Sequence, residues 1–334
     1  MPELAAALGS RTRALAVRRW LFESDALPET LPARIPGVSA DSWATLRSRA
    51  PLPAWRLADQ RRAHDGTTKL ALTLGTATVE TVLIPGKGRS TVCVSSQAGC
   101  TQRCGFCATA TLGFTRALNA GEIVLQYAIA RALAPPGAPA RNVVFMGMGE
   151  PMDNLDAVLA AVRVLTEDGL PGLAASHVTV STSGVLPGMK RFLKESAAHL
   201  ALSLNATTDT QRERLMPQNR SWPIARLLGA LHEDHARGSG RRYFIEYVLW
   251  DGVNDSDADA DRLVALLAEL PAHVNLIPHN PYDASPLRPP SDTRVLAFQD
   301  RVHRGGLRCL VRWPRGQEIA AACGQLALHH AAAP

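Results

Sequence analysis

The chain has 334 residues, 46% of them hydrophobic, and a formal net charge of +6. This length can bury a sizeable core, six cysteines are too sparse for a secreted disulfide scaffold, and no apolar run approaches a bilayer span. The positive balance suits a polyanionic partner, and the first residues lack the basic and apolar stretches of a secretory signal, so a cytoplasmic protein without a membrane anchor is expected.

Residues 4–22 read as helical, the following stretch as Pro-rich and irregular, and residues 40–49 as a second short helix. Together they predict a small, mainly helical N-terminal unit over residues 1–65, ending in a linker at 51–65. Residues 69–74 and 79–85 are strand-like and joined through Gly75 to Thr78, a hairpin within the connecting segment 66–89.

From Ser90 strands and helices alternate. Strands are expected at 91–95, 142–146, 177–181, 200–204, 243–249 and 273–277. Between them, Asn119 with Glu122 three residues on marks a helix start, and Ala134-Pro-Pro its end. Asn154 is expected to cap a helix whose apolar positions Leu155, Val158, Leu159, Val162 and Leu165 follow a 3.6 period, with Gly169 as its stop. Asp257 precedes another, carrying Leu263, Leu266, Leu267 and Leu270. Six such units predict an α/β fold, a parallel sheet curled into a partial (βα)6 barrel over residues 90–285. Residues 307–313 would add a strand within a C-terminal extension, 286–334. This extension contains Arg301, Arg304, Arg308, Arg312 and Arg315 with no acid between Arg301 and Gly316, a second basic feature beside the N-terminal unit.

The chemistry-bearing residues fall in the loops after these strands, which form the functional rim of parallel barrels. Cys100, Cys104 and Cys107 are spaced CxxxCxxC in a Gly-containing loop after the first strand. Three thiolates can hold three irons of a [4Fe–4S] cluster and leave the fourth open, which is what one-electron cleavage of S-adenosylmethionine requires. A structural zinc site is the competing reading, although zinc normally takes four closed ligands. Gly147-Met-Gly-Glu150-Pro follows the second strand; its glycines permit close backbone approach and Glu150 can accept from an ammonium group. Ser181, Ser203 and Asn205 stand at the ends of strands three and four, and Asn280 follows strand six; each is also a common turn or capping residue. Cys309, in an alternating apolar run, reads as core, while position alone leaves Cys93 and Cys323 open between core and reactive roles.

Seven segments in order carry a closer resemblance: VETVLIP (79–85), CVSSQAGCTQRCGFCATATLGFTR (93–116), NVVFMGMGEPMDN (142–154), VTVSTSGV (178–185), LALSLNATTD (200–209), NLIPHNPY (275–282) and RGQEIAAACGQL (315–326). With these the chain resembles the RlmN/Cfr family of radical-SAM RNA adenine methyltransferases. The resemblance implies that Cys100, Cys104 and Cys107 bind a [4Fe–4S] cluster. It further implies that Gly149, Glu150, Ser181, Ser203, Leu204, Asn205 and Asn280 contact S-adenosylmethionine, Asn205 standing where some members have His. Cys323 would be the methylated carrier, Cys93 its transient disulfide partner and Glu80 the proton acceptor. One S-adenosylmethionine would methylate Cys323 and a second would be split to a 5′-deoxyadenosyl radical that activates that methyl for addition to adenine.

The implied substrate is RNA: carbon 2 of an adenosine in 23S rRNA, or in tRNA, with carbon 8, the Cfr-type outcome, as the alternative. An electron donor such as flavodoxin or ferredoxin is implied, and a monomer is expected. A noncatalytic, zinc-stabilised RNA-binding protein is the rival from another class; it would have no use for Glu80, Cys93 and Cys323. Residues 1–65 offer no motif of their own and are expected to contact RNA together with the basic C-terminal stretch.

Overall fold

The computed structural model describes residues 2–25, 27–29, 32–49, 53–282 and 285–328, so positions 51–52 of the expected linker and 329–334 of the C-terminal extension lie outside it. The N-terminal helical stretch forms α1 (Pro2–Leu8) and α2 (Arg11–Glu23), followed by α3 (Ala40–Arg49). The single helix expected over 4–22 is broken at Gly9, whose φ of +63° leaves the helical region, and Ser10 caps the new start by accepting from Arg13 N. Leu8, Ala14, Ile35, Trp43 and Leu46 form a small core of their own. Phe22 reaches the main core, where its ring lies 6.2 Å from that of Tyr127. Buried Arg18 pins α2 to the main body by pairing with Glu167 at 2.9 Å and donating to Val164 O.

The expected linker instead contains β1 (Trp55–Arg62), which joins β2 (Thr68–Leu74) and β3 (Ala77–Pro85) in an antiparallel meander. Its sequence WRLADQRR is too polar to announce a strand. As a mostly exposed edge strand it depends on backbone pairing rather than on an apolar face. After β4 (Ser90–Cys93) comes a two-stranded ribbon, β5 (Gln97–Gly99) and β6 (Phe114–Ala117), then α4 (Ala120–Ala132). Asn119 and Glu122 close the expected reciprocal cap on α4. The alternation continues through β7 (Ala140–Phe145), α5 (Leu155–Thr166), β8 (Val178–Thr182), α6 (Leu186–Glu195), β9 (His199–Ser203), α7 (Asp209–Leu215), α8 (Ile224–Ala236), β10 (Tyr243–Leu249), α9 (Asp257–Leu267), β11 (Ala272–Pro278), α10 (Asp292–Arg304) and β12 (Arg308–Val311).

The main sheet runs β1-β2-β3-β4-β7-β8-β9-β10-β11-β12; it is antiparallel to β4 and parallel from β4 to β12. The six expected barrel strands are therefore present in the expected order, and the added strand extends the parallel edge beside β11. Two helix starts differ in detail. Asn154 precedes α5 but does not cap it; its amide donates to Ser96 O and Leu118 O, tying the cysteine-bearing region to the sheet. Asp257 is already helical, and Ser256 with Asp259 forms the cap.

The pairing register sorts the strands' two faces. Tyr243, Ile245, Tyr247 and Leu249 of β10 are fully buried, and the Tyr247 ring stacks on Phe298 of α10, so this set faces the helices. The alternate positions face the lumen: Glu246 lies level with Ser203 on β9 and with Asn275 on β11. By the same register Ser181, Cys93 and, across from it, the Val82 face that includes Glu80 line the inner side.

Candidate active site

The cysteine loop is clamped at both ends. Cys100 N donates to Gly113 O at 2.9 Å, closing the loop across the β5–β6 ribbon. Gly99, at φ +74°, permits this approach, because a Cβ there would lie 1.8 Å from the Gly113 carbonyl oxygen. Within the loop Gly105 N donates to Leu215 O, and Ala108 N donates to Gly324 O at 2.7 Å. Thr109 Oγ1 donates to Leu326 O at 2.6 Å. The last two bonds place the segment carrying Cys323 directly against the cysteine loop.

Burial raises all three loop thiols, Cys100 to about 12, and neighbouring negative charge adds to the rise at Cys100 and Cys104. Three desolvated thiols of this kind call for a cationic centre that stabilises them as thiolates. Among the described residues no three of His, Cys, Asp and Glu are grouped to hold a single metal ion. Three thiolates of one loop can each take a different iron of a four-iron cluster and leave the fourth open, whereas a structural zinc normally takes four closed ligands, so the donor set fits the cluster.

The rim beside this loop is stitched from strand to strand. Gly149, at φ +102°, packs so closely on Gln97 that a Cβ would meet the Gln97 side chain at 2.5 Å. Glu150 is buried, and its carboxylate accepts from Met152 N, Ser183 N and Ser183 Oγ. Burial nevertheless outweighs these bonds and raises it above the usual carboxylate range. Fully buried Arg212 donates to Ser183 O, Ser203 O, Leu204 O and Asn219 Oδ1, joining the ends of β8 and β9. Asn205 sits at φ +60°, a conformation Asn tolerates. Its Oδ1 accepts from Val248 N at 2.9 Å and its Nδ2 lies 3.4 Å from Met216 Sδ, so the side chain holds β9 to β10. Asn280 Nδ2 donates to Cys323 O at 3.0 Å. The buried acceptors Asn280 Oδ1 and Gln218 Oε1 have no partner among the described residues, and Gln218 Nε2 lies 3.8 Å from Cys104 Sγ. Unpaired acceptors beside both the loop and Cys323 fit a ligand rich in hydroxyl and ammonium donors, as S-adenosylmethionine is.

Cys323 is exposed, yet the protein mass around it raises its thiol to about 11, the combination expected at the floor of an open depression. Cys93, buried at the end of β4, has its thiol raised chiefly by burial, with Cys323 adding to the rise. Glu80 on β3 is sealed. It pairs with buried Lys69 at 2.8 Å, and its Oε2 accepts from Leu328 N in the same C-terminal segment. Lys69 also donates to Ala320 O, so one buried ion pair holds this segment on both sides of Cys323.

The structure thus brings Cys93, Cys100, Cys104, Cys107, Gly149, Glu150, Ser181, Ser203, Asn280 and Cys323 to one rim and lumen, with Leu204 packed in the main core behind it and Asn205 and Glu80 committed to internal bonds at its edge. Lys69, Arg212, Gln218, Glu246 and Arg312 were missed. For Glu246 and Lys69 a signal existed, a charged residue inside an apolar strand; Arg212 and Gln218 had none. The basic C-terminal stretch is not one face: Arg301 pairs with Asp257 and Asp261, Arg304 with Asp300 and Arg315 with Asp65. Arg308 starts β12, and Arg312 follows its end, where it donates to Asn275 Oδ1 and precedes exposed Trp313.

Residues 94–264 match the Radical SAM superfamily. A probable RNA methyltransferase of Sorangium cellulosum is 49% identical over 87% of this chain and 73% of its own length. The dual-specificity RNA methyltransferase RlmN of an Anaeromyxobacter species is 42% identical over 98% of this chain and 88% of its own. Among solved structures, a radical SAM methyltransferase from Sphaerobacter thermophilus superimposes with a TM-score of 0.86 at 40% identity, covering 97% of this chain and 95% of that one.

Proposed function

Because the chain belongs to the RlmN/Cfr family of radical-SAM RNA methyltransferases, an enzyme class that uses a [4Fe–4S] cluster and S-adenosylmethionine, we propose that it methylates carbon 2 of an adenosine in 23S rRNA and in tRNA. The observation that carries the reading is the clamping of the Cys323 segment against the cysteine loop, through Ala108 N to Gly324 O and Thr109 Oγ1 to Leu326 O. A carrier thiol held beside a radical source is what methylation of an electron-poor ring carbon demands.

When bound, the cluster and S-adenosylmethionine supply the methyl group and the radical that removes hydrogen from it. The chain's own residues do the rest. Cys100, Cys104 and Cys107 would each hold one iron, while Gly149, Glu150, Ser181, Ser203, Leu204 and Asn280 would line the S-adenosylmethionine site and Asn205 would support its β9–β10 wall. Cys323 would carry the methyl, presented by Asn280 and the Lys69–Glu80 pair. Glu80 would take the ring proton after the C-terminal segment shifts off its Oε2. Cys93 would then attack the Cys323 sulfur, releasing the methylated base and leaving a disulfide for an external reductant.

In this reading residues 1–65, with their own small core, form an accessory unit that contacts RNA; 66–89 connects it to the barrel at 90–285, and the extension 286–334 carries Cys323. Arg312 and Trp313 would meet the polyanion. The electron donor would be a flavodoxin or ferredoxin, the enzyme a monomer and its site of action the cytoplasm; no helix among the described residues is long and apolar enough to cross a membrane.

The test is mass spectrometry of nucleosides from 23S rRNA and tRNA of cells with and without the protein. Loss of 2-methyladenosine from both RNAs on deletion is expected. A change at carbon 8 instead would reassign the ring position, and no change in either RNA would refute the substrate.

A further inference from the structure

Two non-glycine residues of the segment that carries Cys323 lie in the left-handed backbone region, Ala320 at φ +52° and Leu328 at φ +55°. Neither has the short polar side chain that eases this conformation, and a bulky residue such as Leu328 is an outlier there. Strain of this kind persists only where the surroundings hold it, and it gathers at parts of a protein that switch. Here the holding groups are identifiable. Lys69 Nζ donates to Ala320 O at 3.2 Å, and Leu328 N donates to Glu80 Oε2 at 3.2 Å. Lys69 and Glu80 are both buried and pair with one another at 2.8 Å. The two strained residues that bracket Cys323 are thus held by the two halves of one ion pair.

That pair stands on the sheet face that carries Cys93. Lys69 on β2 lies opposite Val82 on β3, and Val82 opposite Cys93 on β4, so the three side chains leave the sheet on one side. Glu80, two positions from Val82, leaves on it too. Between the two held residues, Gly324 O and Leu326 O accept from Ala108 N and Thr109 Oγ1, so in the held state the segment is seated against the cysteine loop. In the same state both Glu80 oxygens are closed, and opening Oε2 requires Leu328 to leave. Resting on the roles of Cys323 and Glu80 given above, we propose that Lys69 is a positioning residue that latches a strained carrier segment. Latched, the segment seats Cys323 for methyl loading and shuts Glu80. Released at Leu328 and Ala320, it opens Glu80 to the ring proton and frees Cys323 for Cys93.

Opposing terms make the segment a two-state element. The left-handed conformations of Ala320 and Leu328 favour release. The charge-assisted bonds to Lys69 and Glu80 oppose it, and losing either partner of the pair leaves the other as an uncompensated buried charge. Substitutions at the two kinds of position must therefore act in opposite directions. Removing the Lys69 ammonium weakens the latch, whereas Ala320→Gly removes strain, because glycine enters the left-handed region without steric cost.

The test is amide hydrogen exchange of peptides from residues 316–328 in the iron-loaded full chain, read beside single-turnover methylation of Cys323 and turnover on RNA. Lys69→Met should speed exchange of these peptides by about tenfold, with the peptides of β8 to β11 unchanged. It should also slow Cys323 methylation at saturating S-adenosylmethionine without moving the half-saturating concentration. Ala320→Gly should slow exchange by about fivefold, retain Cys323 methylation and slow RNA turnover, because release is rarer. Wild-type exchange in Lys69→Met would overturn the latch. If Lys69→Met fails to fold, Ala320→Gly decides alone: slower exchange upholds the latch, and unchanged or faster exchange overturns it. If both variants shift exchange in the expected directions while wild-type Cys323 never becomes methylated, the latch is upheld and the carrier role of Cys323 falls.

Discussion

The side-chain amide of Asn280 donates to the backbone carbonyl of Cys323 at 3.0 Å, linking the loop after the last barrel strand to the cysteine proposed as the methyl carrier. The other Asn280 atom, Oδ1, is a buried acceptor without a partner among the described residues. One side chain thus faces two ways, toward the cysteine segment and toward the ligand space. Asn280→Ala removes both connections. A backbone hydrogen bond contributes about 1 kcal/mol, so carrier misplacement alone should slow RNA methylation about fivefold, with a separate rise in the S-adenosylmethionine KM. Asn280→Asp, which keeps the acceptor and loses the donor, should affect kcat more than KM.

Replacement of Cys93 by Ala should leave Cys323 able to become methylated and to add to RNA but unable to release it. A covalent protein–RNA species should accumulate, visible as a gel shift that survives denaturation and is lost in Cys93→Ala/Cys323→Ala. Free methylated RNA at the wild-type rate would exclude Cys93 as the resolving thiol.

The cysteine loop depends on a glycine that is not a ligand. Gly99→Ala would place a Cβ 1.8 Å from Gly113 O at a positive φ, which forces the β5–β6 clamp open. Iron bound per chain after anaerobic reconstitution should drop well below that of the wild type while the barrel stays folded by circular dichroism. Gly113→Ala, also at positive φ but with open space around the added Cβ, should lose less iron.

Arg212→Met would leave the carbonyls of Ser183, Ser203 and Leu204 without their buried donor. Leaving a buried acceptor without its donor costs about 1–3 kcal/mol. The thermal midpoint should fall by several degrees, and S-adenosylmethionine binding by calorimetry should weaken because the β8 and β9 ends no longer hold their spacing.

Burial pushes His279 down to about 4, while its ring packs against Trp250 and its Nε2 meets Ser285 Oγ at 3.1 Å. The unfolded chain binds this proton near pH 6.5 and the folded chain only near 4. The stability contribution is therefore whole above pH 6.5 and is lost as pH falls from 6.5 towards 4. Urea midpoints at pH 7.5 and pH 5 should differ more for the wild type than for His279→Gln; equal differences would show that this histidine titrates normally.

Local chemistry was sufficient to read the parallel barrel. The runs 142–146, 200–204 and 243–249 are apolar enough to be buried strands, the cap pair Asn119 and Glu122 sits three residues apart, and CxxxCxxC is contiguous, so each signal is complete within a few residues. β1 escaped because an edge strand needs only backbone pairing, and β5–β6 because three or four residues carry no readable period. The cysteines outside the loop, Cys93 and Cys323, were assignable from sequence only by family resemblance, since they lie 230 positions apart. Only the tertiary structure lays the Cys323 segment against the cysteine loop, closes Glu80 beneath that segment and turns the Asn205 side chain into the wall. Spacing along a chain determines which residue types a strand or loop can present. Which of them meet is decided by sheet register and by hydrogen bonds such as Ala108 N to Gly324 O, whose partners are separated by most of the barrel.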